Sequence, residues 1–240
     1  MKSNDLIIEN YTSTSTSVNL DNYKIAVTEK QLMLEENILN RIDLQKKANI
    51  LDIGCGWGGA LKALQEKGFE NLYGVDISIE QTKFATENLK LQNITCQDAV
   101  EYLKSVDQKF DAIFCFDVLE HLEINYAIVF LKALKDSLNP NGKIIITTPN
   151  GITPIQAYYY SDITHVKPYT TVSMKQITSL AGIEKINFYN FVLPSNNTKR
   201  KIANALFKYL FSPLTKIYVF ALTQSTYEGV YSANLLSILE

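Results

Sequence analysis

The stretch ILDIGCGWGG, residues 50–59, guides the interpretation of the whole chain, because it holds four of the ten glycines of the protein. An apolar run leads into Asp52, and glycines follow at positions 54, 56, 58 and 59. An apolar strand pattern that ends in glycines and passes into a helical pattern predicts a tight turn between strand and helix. Ligands bind outside the carboxyl ends of strands in open α/β sheets, so we expect a binding site at this turn.

Strand and helix patterns alternate on both sides of the turn. The strands predicted up to residue 150 span residues 48–54, 71–76, 93–98, 110–116 and 143–150, and the helices span residues 27–42, 60–68, 78–91 and 124–138. Ser78 is the expected N-cap of its helix. Strands separated by helices of this length predict right-handed crossovers and a mainly parallel α/β sheet with helices on both faces.

The chain after residue 150 is less regular. We predict a long connection over residues 153–170, a helix over 171–182, a strand over 183–193, a basic helix over 199–211 and a last strand over 216–224. Long connections inside a domain are usually functional or disordered. The cations of the basic helix favour a solvated face over a membrane or acceptor patch; they are Lys199, Arg200, Lys201 and Lys208.

Composition predicts one domain. The chain has 240 residues, of which 46% are hydrophobic, so it can bury a full core. We expect residues 1–26 to form an arm or lid in which Tyr11 and Tyr23 cover the site, residues 27–150 to form the ligand-binding core, and residues 151–240 to form the acceptor side. The net charge of −2 provides no overall positive field that would attract nucleic acid, so no nucleic-acid partner is expected.

The sequence favours a cytoplasmic protein. The N-terminal segment lacks the pattern of a signal peptide, and the three cysteines have no metal-ligand spacing, so reduced thiols are expected. The most apolar stretch, residues 205–222, is interrupted by Lys208, Pro213 and Lys216. We therefore expect no segment that spans a membrane and no stable membrane insertion.

Charge at the glycine turn indicates the type of ligand. Dinucleotides and S-adenosylmethionine both use turns of this kind, and the formal G-x-G-x-x-G match of Gly54, Gly56 and Gly59 alone does not separate them. Asp52 lies at the entrance, and no lysine or arginine occurs between Ile50 and Leu61. A carboxylate opposes a pyrophosphate at a helix N-terminus but favours the ammonium and sulfonium of S-adenosylmethionine.

Two further strands also end in carboxylates. Asp76 ends the second predicted strand and can accept hydrogen bonds from both ribose hydroxyls. Asp98 ends the third and can accept from an adenine amino group, while Ala99 leaves room for the ring. Each carboxylate taken alone is as well explained as a helix N-cap. The three together, beside the glycines, favour a nucleoside-binding edge.

Residues 49–150 resemble class I S-adenosylmethionine-dependent methyltransferases. The matching motifs are DIGCGWG at Asp52–Gly58, GVDIS at Gly74–Ser78, QDA at Gln97–Ala99, FDVLEH at Phe116–His121 and NPNGKIIITTPN at Asn139–Asn150. The resemblance implies a Rossmann-like, seven-stranded sheet whose last strand is antiparallel, and it assigns that strand to residues 216–224. It also implies a set of cofactor-binding residues: Asp52, Gly54, Cys55, Gly56, Asp76, Ile77, Asp98, Ala99, Phe116 and Asp117.

The second half of the chain is similar to small-molecule and sugar O-methyltransferases of bacterial surface-polysaccharide clusters. Their D-P-T-H-x-R-x-Y stretch corresponds to Asp162–Tyr169, with Ile163 in place of proline and Lys167 in place of arginine. The Asn/Asp-Pro-Pro-Tyr/Phe stretch of amino-methyltransferases is replaced by FDVLEHL. The expected acceptor is therefore a hydroxyl or phosphoryl oxygen of a small molecule or sugar, with Lys167 and the neighbouring tyrosines as contacts or as a packed lid; these are Tyr158, Tyr159, Tyr160 and Tyr169.

Both histidines of the chain follow predicted strands at the expected site. We predict that His165 is the general base for a hydroxyl acceptor, and that Glu120 and His121 shape or polarise the site. A rival interpretation is a divalent metal held by Asp117, Glu120, His121 and His165, similar to metal-using methyltransferases with an acid-x-x-Glu-His stretch. Two other classes stay open: a non-catalytic module that binds S-adenosylmethionine, and a nicotinamide-dependent oxidoreductase.

Overall fold

The computed structural model describes residues 23–153, 157–194 and 197–240, and within them one seven-stranded sheet is flanked by helices. The strands are β1 (Asn49–Ile53), β2 (Asn71–Asp76), β3 (Ile94–Cys96), β4 (Phe110–Phe116), β5 (Leu138–Pro149), β6 (Ile186–Asn190) and β7 (Asn234–Leu239). The helices are α1 (Tyr23–Leu34), α2 (Gly59–Glu66), α3 (Ile79–Glu87), α4 (Ala99–Ser105), α5 (Ile124–Asp136), α6 (Ala157–Tyr160), α7 (Thr171–Leu180), α8 (Thr198–Leu206) and α9 (Ser212–Thr223). Shorter π and 3₁₀ segments span Glu35–Leu39, Leu119–His121, Phe207–Phe211 and Tyr227–Gly229.

The strand order is β3-β2-β1-β4-β5-β7-β6. Strands β1 to β5 pair in parallel, and β7 runs antiparallel to both β5 and β6. The order reverses between β1 and β4, so a crevice opens at their carboxyl ends. This switch point is where the glycine turn begins.

The core lies on both faces of the sheet. Within β1, Leu51 and Ile53 belong to one buried cluster and Ile50 belongs to the other, and all three are at most 1% exposed. Successive residues of a strand point to opposite faces, so a strand covered on both sides reads as a continuous apolar run. That burial explains why the segment before the glycines forms a central strand.

The predicted α/β class is confirmed, and five predicted strands of the first part are present with small shifts at their ends. Ser78 is the N-cap of α3, with its hydroxyl accepting from the backbone amide of Gln81 at 3.3 Å. Within this first part, helix α4 was not expected, and the turn predicted over residues 139–142 lies within β5.

The strand predicted over residues 216–224 is wrong, because this segment is helix α9. Its β-branched and aromatic residues suggested a strand, yet they continue the preceding helix, and of them only Val219 is buried. The antiparallel strand is instead β7, whose six residues are all buried between β5 and β6. A short apolar run of this kind cannot be distinguished from a helical segment by periodicity.

One helix bears on the expectation that no segment is both long enough and uncharged enough to span a membrane. Segments α8 and α9 are continuous through the π-helical turn, and the resulting helix Thr198–Thr223 has 26 residues. By length and composition alone it is a candidate membrane span, and only 6% of its most apolar stretch is buried.

Of the two tyrosines expected to cover the site, Tyr11 lies outside the described residues. Tyr23 begins α1 and packs beside the core cluster of α1 and α2.

Candidate active site

The glycine turn is enclosed by side chains from neighbouring segments. Gly54, Gly56 and Gly58 have φ angles of +69°, +53° and +82°, which favour glycine. A Cβ atom on Gly54 would lie 2.4 Å from Cγ2 of Val118, and one on Gly56 would lie 2.6 Å from Oε1 of Gln81. Only glycine fits at these positions without strain, and Gly54 and Gly56 are partly exposed, so their backbone can approach a ligand closely.

Asp52 is buried in β1 at the entrance to this turn, with 2% of its surface exposed. Burial raises the pKa of its carboxyl group to about 7, an effect that Lys30 partly opposes and Asp76 increases. Both the protonated and the ionised form of the carboxyl group are therefore accessible near neutral pH. A ligand ammonium nearby would favour the ionised form.

Asp76 connects the end of β2 to the glycine turn. Its Oδ2 accepts from the backbone amide of Gly56 and its Oδ1 from that of Ser78, each at 2.8 Å. Burial raises the pKa of this carboxyl group, while the backbone hydrogen bonds lower it. Each carboxylate oxygen can accept a second hydrogen bond, so ribose hydroxyls fit the residue. Ile77 beside it is 52% exposed and offers an apolar surface.

Asp98 is the N-cap of α4. Its Oδ1 accepts from the backbone amides of Val100 and Glu101, at 2.9 and 3.1 Å, and its Oδ2 accepts from the hydroxyl of Tyr126. Ala99 is the first residue of the capped helix. Asp98 is therefore a helix N-cap, the alternative role that the sequence allowed for it. Its contact with an adenine stays a prediction.

The end of β4 carries Phe116 and Asp117. Phe116 stacks on Phe114 with ring centroids 5.3 Å apart. Asp117 is exposed and has a φ of +55°, an uncommon conformation for a residue with a side chain. Its Oδ1 accepts from the hydroxyl of Thr147 at 3.0 Å and from the amide of Asn234 at 3.4 Å.

His121 and His165 lie side by side beyond this strand end, with ring centroids 4.8 Å apart. Nδ1 of His165 lies 2.7 Å from the carbonyl oxygen of Tyr159. A carbonyl only accepts, so Nδ1 carries the proton and the lone pair of the neutral ring is on Nε2. The Tyr159 ring stacks on His165 at 5.1 Å and fixes its plane.

The loop that carries His165 also orients His121. The hydroxyl of Thr164 donates to Oδ1 of Asp162 at 2.6 Å and lies 2.8 Å from Nδ1 of His121. Its single proton is used toward Asp162, so Nδ1 of His121 donates and Nε2 holds the lone pair. Burial and the neighbouring His165 lower the pKa of His121, which keeps its ring neutral near pH 7.

Glu120 is fully buried beneath the two histidines. Within the described residues neither of its carboxylate oxygens has a hydrogen-bond partner. Burial, and secondarily Asp117, raises the pKa of Glu120 well above its ordinary value. Its backbone carbonyl accepts from the amides of Val166 and Lys167, at 2.8 and 3.3 Å, which ties the acceptor-side loop to the end of β4.

The predicted catalytic residues are brought together. Ligand atoms of Glu120, His121 and His165 all lie within 4.8 Å of one another. Asp117, the fourth member of the rival metal set, is not in this group. The glycine turn is close by, because Val118 packs against Gly54 and the amide of His121 bonds the Val118 carbonyl at 3.1 Å.

The tyrosines proposed as acceptor contacts occupy different environments. Tyr159 and Tyr169 are buried, whereas Tyr160 is 74% exposed, and the side chain of Tyr158 lies outside the described residues. Burial, and then Glu120, raises the pKa of Tyr169 to about 12, and its hydroxyl has no partner among the described atoms. Two of the tyrosines therefore pack the loop.

Sequence reasoning missed the residues that orient the histidines. Asp162 and Thr164 had a detectable signal, because Asp-x-Thr is typical of a turn in which the carboxylate accepts from the backbone two residues on, here at 2.9 Å. The carbonyl of Tyr159, which orients His165, had none, and the same is true of the hydroxyl of Tyr126, which bonds Asp98 on the cofactor side. Their roles depend on how separate segments pack.

Comparison with known proteins agrees with this arrangement. A family described as "Methyltransferase domain" matches residues 29–187. The chain is 30% identical over 158 residues to the ubiquinone biosynthesis O-methyltransferase of Coxiella burnetii, covering 64% of this chain and 61% of that protein. It is 30% identical over 116 residues to the sphingolipid C9-methyltransferase of Candida albicans, covering 45% and 23%. The chain thus spans less than two thirds of the length of either relative.

Solved structures show the same fold at low sequence identity. A SAM-dependent methyltransferase from Archaeoglobus fulgidus superposes with a TM-score of 0.62 at 21% identity, over 90% of this chain and 93% of that one. A plantazolicin methyltransferase solved with S-adenosylhomocysteine superposes with a TM-score of 0.53 at 16% identity, over 96% and 87%.

The family match extends over more than half of the 240 residues. It includes the glycine turn, the acidic strand ends and both histidines. The strand order with a switch point at that turn is consistent with this match. The chain therefore belongs to the methyltransferase domain family, the class I S-adenosylmethionine-dependent methyltransferases, and its cofactor is S-adenosylmethionine.

Proposed function

We propose that this methyltransferase acts on an oxygen, a hydroxyl or a phosphoryl oxygen, of a small-molecule or sugar acceptor. The observation that carries the proposal is the histidine pair. Both rings lie at the carboxyl edge of β4 and β5, and local hydrogen bonds place the lone pair of each neutral ring on Nε2. Such a nitrogen can take the proton that a hydroxyl loses as it is methylated.

In this mechanism the chain mainly aligns the acceptor. When bound, S-adenosylmethionine supplies a methyl group on a sulfonium. Asp52, Asp76 and the glycine turn hold the cofactor at the switch point, with Phe116 and Asp117 beside the transfer point. His165 accepts the hydroxyl proton at Nε2 and becomes imidazolium. Burial favours the protonated, neutral form of Glu120, which shapes the site beside the two histidines.

The acceptor class is inferred from the second half of the chain. The Asp162–Tyr169 loop resembles that of sugar O-methyltransferases of surface-polysaccharide clusters, and we propose a role in making such a polymer. The named relatives widen the range, since one acts in ubiquinone biosynthesis and another on a sphingolipid. The FDVLEHL stretch supports oxygen over nitrogen as the acceptor atom. Three unpaired cysteines support a cytoplasmic location.

A divalent cation at the histidine pair is a second candidate. Neither carboxylate oxygen of Glu120 has a hydrogen-bond partner in the described part of the chain, which favours a cation, because a buried carboxylate is costly without a proton or a cation. Glu120, His121 and His165 offer the mixed oxygen and nitrogen ligands that such ions take. The cation would polarise the acceptor oxygen and lower the pKa of its hydroxyl.

A methyl-transfer assay with labelled S-adenosylmethionine tests the proposal. Hydroxyl-bearing sugars, sugar nucleotides and lipid-linked precursors are offered as acceptors, beside amine controls. We expect label in a hydroxyl or phosphoryl product, and label confined to amines would contradict the choice of oxygen. Loss of activity in EDTA that Mg²⁺ or Mn²⁺ restores would favour the second candidate, a divalent cation at the histidine pair.

Calorimetric titration with S-adenosylhomocysteine and with NAD complements the assay. We expect binding of S-adenosylhomocysteine alone, and binding of NAD alone would instead support the oxidoreductase class. Tight binding of S-adenosylhomocysteine without turnover on any acceptor of the panel would favour the non-catalytic module.

A further inference from the structure

The helix Thr198–Thr223, called the exposed helix below, presents apolar side chains to solvent along its whole length. Ten of its large apolar residues are at least 46% exposed: Ile202, Leu206, Tyr209, Leu210, Phe211, Leu214, Ile217, Tyr218, Phe220 and Leu222. Contiguous apolar surface of this kind marks an interaction site. Val219 is its single buried residue among those that the structure describes.

The charge of the exposed helix is entirely positive. Residues 198–223 contain four lysines and one arginine and no aspartate or glutamate. The whole chain has a net charge of −2, so the helix contributes +5 and the remaining residues −7. The partner of this surface must therefore be both apolar and anionic.

The topology excludes a helix that crosses a bilayer. The exposed helix connects β6 to β7, and these strands pair in one sheet with Asn190 opposite Leu235. A single crossing would place two paired strands on opposite sides of the membrane. Lys208 and Lys216 would also lie in its interior. Exposed apolar residues and cations on a helix that does not cross a bilayer are typical of a helix that lies in the membrane interface.

The exposed helix is attached at the edge of the sheet that carries the site. β6 runs parallel to β5, because both are antiparallel to β7, so the chain leaves β6 at the carboxyl edge. On its return, the side-chain amide of Asn150 donates to the carbonyls of Val230 and Ser232, at 3.1 and 3.0 Å. Asn234 then donates to Asp117 beside the transfer point, at 3.4 Å.

We propose that the exposed helix docks the protein on an anionic lipid surface, with the helix axis in the plane of the headgroups. Two other occupants fit less well. A second copy would bring ten cations together without a compensating acid on either helix, and a nucleic acid would leave the ten apolar side chains without an apolar partner. An anionic bilayer satisfies both features of the surface.

The docking has a consequence for the acceptor. Because the helix is attached at the carboxyl edge, a docked protein would hold that edge near the bilayer and take an acceptor whose reactive oxygen is carried by a lipid. This consequence rests on the proposed methyl transfer, whereas the docking itself does not. The two are separated experimentally by measuring docking without cofactor or acceptor.

The test is flotation of the full chain with vesicles. One set contains phosphatidylcholine and phosphatidylglycerol in equal parts, and the other contains phosphatidylcholine alone. We expect binding to the anionic set, with a loss of roughly fivefold for each cation removed. Binding should weaken as salt rises. No binding to anionic vesicles at low salt, by protein that binds S-adenosylhomocysteine, would overturn the proposal.

Two variants separate the apolar and the charged contributions. The triple variant Leu206→Ser, Leu210→Ser, Leu214→Ser removes apolar surface from exposed positions and should abolish binding, and Lys208→Glu should reduce it. Leu180→Ser, at a site 69% exposed on α7, and Lys132→Glu, exposed on α5, are the matched controls. Binding that survives in the triple variant would overturn interfacial docking.

The other occupants have their own signatures. A dimer seen by sedimentation equilibrium, absent from the triple variant and unaccompanied by vesicle binding, would make the helix an interface between two copies. Binding of transfer RNA that the triple variant retains, without vesicle binding, would make it a nucleic-acid surface. Either result would overturn the proposal, whatever the outcome of the methyl-transfer assay.

Discussion

The cofactor side and the acceptor side of the site are built from contacts of different range. On the cofactor side, the amide of Gly56 bonds Asp76, 20 positions away. On the acceptor side, Thr164 bonds His121 at a separation of 43. The contrast teaches that the cofactor edge is specified by consecutive motifs, whereas the acceptor edge depends on how distant segments meet.

The largest expected effect is a loss of turnover on substitution of His165, which tests the acceptor side separately from the cofactor side. His165→Ala should lower turnover by about 10²–10⁴-fold, the range for loss of a general base, and leave the affinity for S-adenosylhomocysteine nearly unchanged. Turnover assays and calorimetry measure the two quantities.

His165→Asn is the matched control, because its amide can still donate to the Tyr159 carbonyl. We expect it to be as inactive as His165→Ala. Activity restored by asparagine would assign His165 a positioning role, and near-normal activity in both variants would exclude it as the base.

Asp76→Ala should produce the opposite pattern. It removes hydrogen bonds to ribose, worth on the order of 1.5–3 kcal/mol each as an upper range, and it also frees the amide of Gly56. We expect the affinity for S-adenosylhomocysteine to fall at least tenfold in calorimetry, while turnover at saturating cofactor changes less. A change below about threefold would remove Asp76 from the cofactor site.

Asp52→Asn tests the cofactor side through pH. A pKa raised to about 7 means that the folded state binds the Asp52 proton more tightly than the unfolded state does. The contribution of Asp52 to the free energy of unfolding is therefore most favourable below the ordinary pKa of 3.8, and it is lost as the pH rises through 7. The variant should therefore be more stable than the wild type at pH 8, by at most roughly 4 kcal/mol, and no more stable at pH 4.

Urea unfolding of the cofactor-free protein at both pH values measures this difference. The same variant should bind S-adenosylmethionine more weakly, because the carboxylate near the ammonium is lost. An equal stability change at the two pH values would contradict the buried ionisation, and unchanged affinity would leave Asp52 a structural residue.

Asp98→Ala has the smallest expected effect on stability. Loss of the N-cap of α4 should cost about 1 kcal/mol and lower the melting temperature by about 2–4 °C. Ser78→Ala, which removes the cap of α3, is the reference. If Asp98 also contacts the adenine, only its variant should weaken cofactor binding. Equal affinities in the two variants would leave Asp98 as a cap alone.

The same contrast explains how much could be predicted from the sequence. Strands β1, β2 and β4 and the acidic strand ends follow from periodicity and turn chemistry within a few residues. The tautomers of His121 and His165 could not be predicted, because they depend on Thr164 and on the Tyr159 carbonyl. The last strand was misplaced because residues 216–224 have the β-branched and aromatic composition of a strand, although they continue the helix that begins at Thr198.

The pairing of Asn190 with Leu235 has a consequence for which part of the chain can change without disturbing the sheet. The excursion, residues 191–234, leaves the sheet and returns to it at a pair of residues that lie opposite each other. Such a segment can be lengthened, shortened or exchanged without moving the sheet, because added loop length costs little free energy. The family match ends at residue 187, just before this excursion begins. A change in the length or sequence of this excursion can therefore alter the surface that it presents without altering the site that the sheet carries.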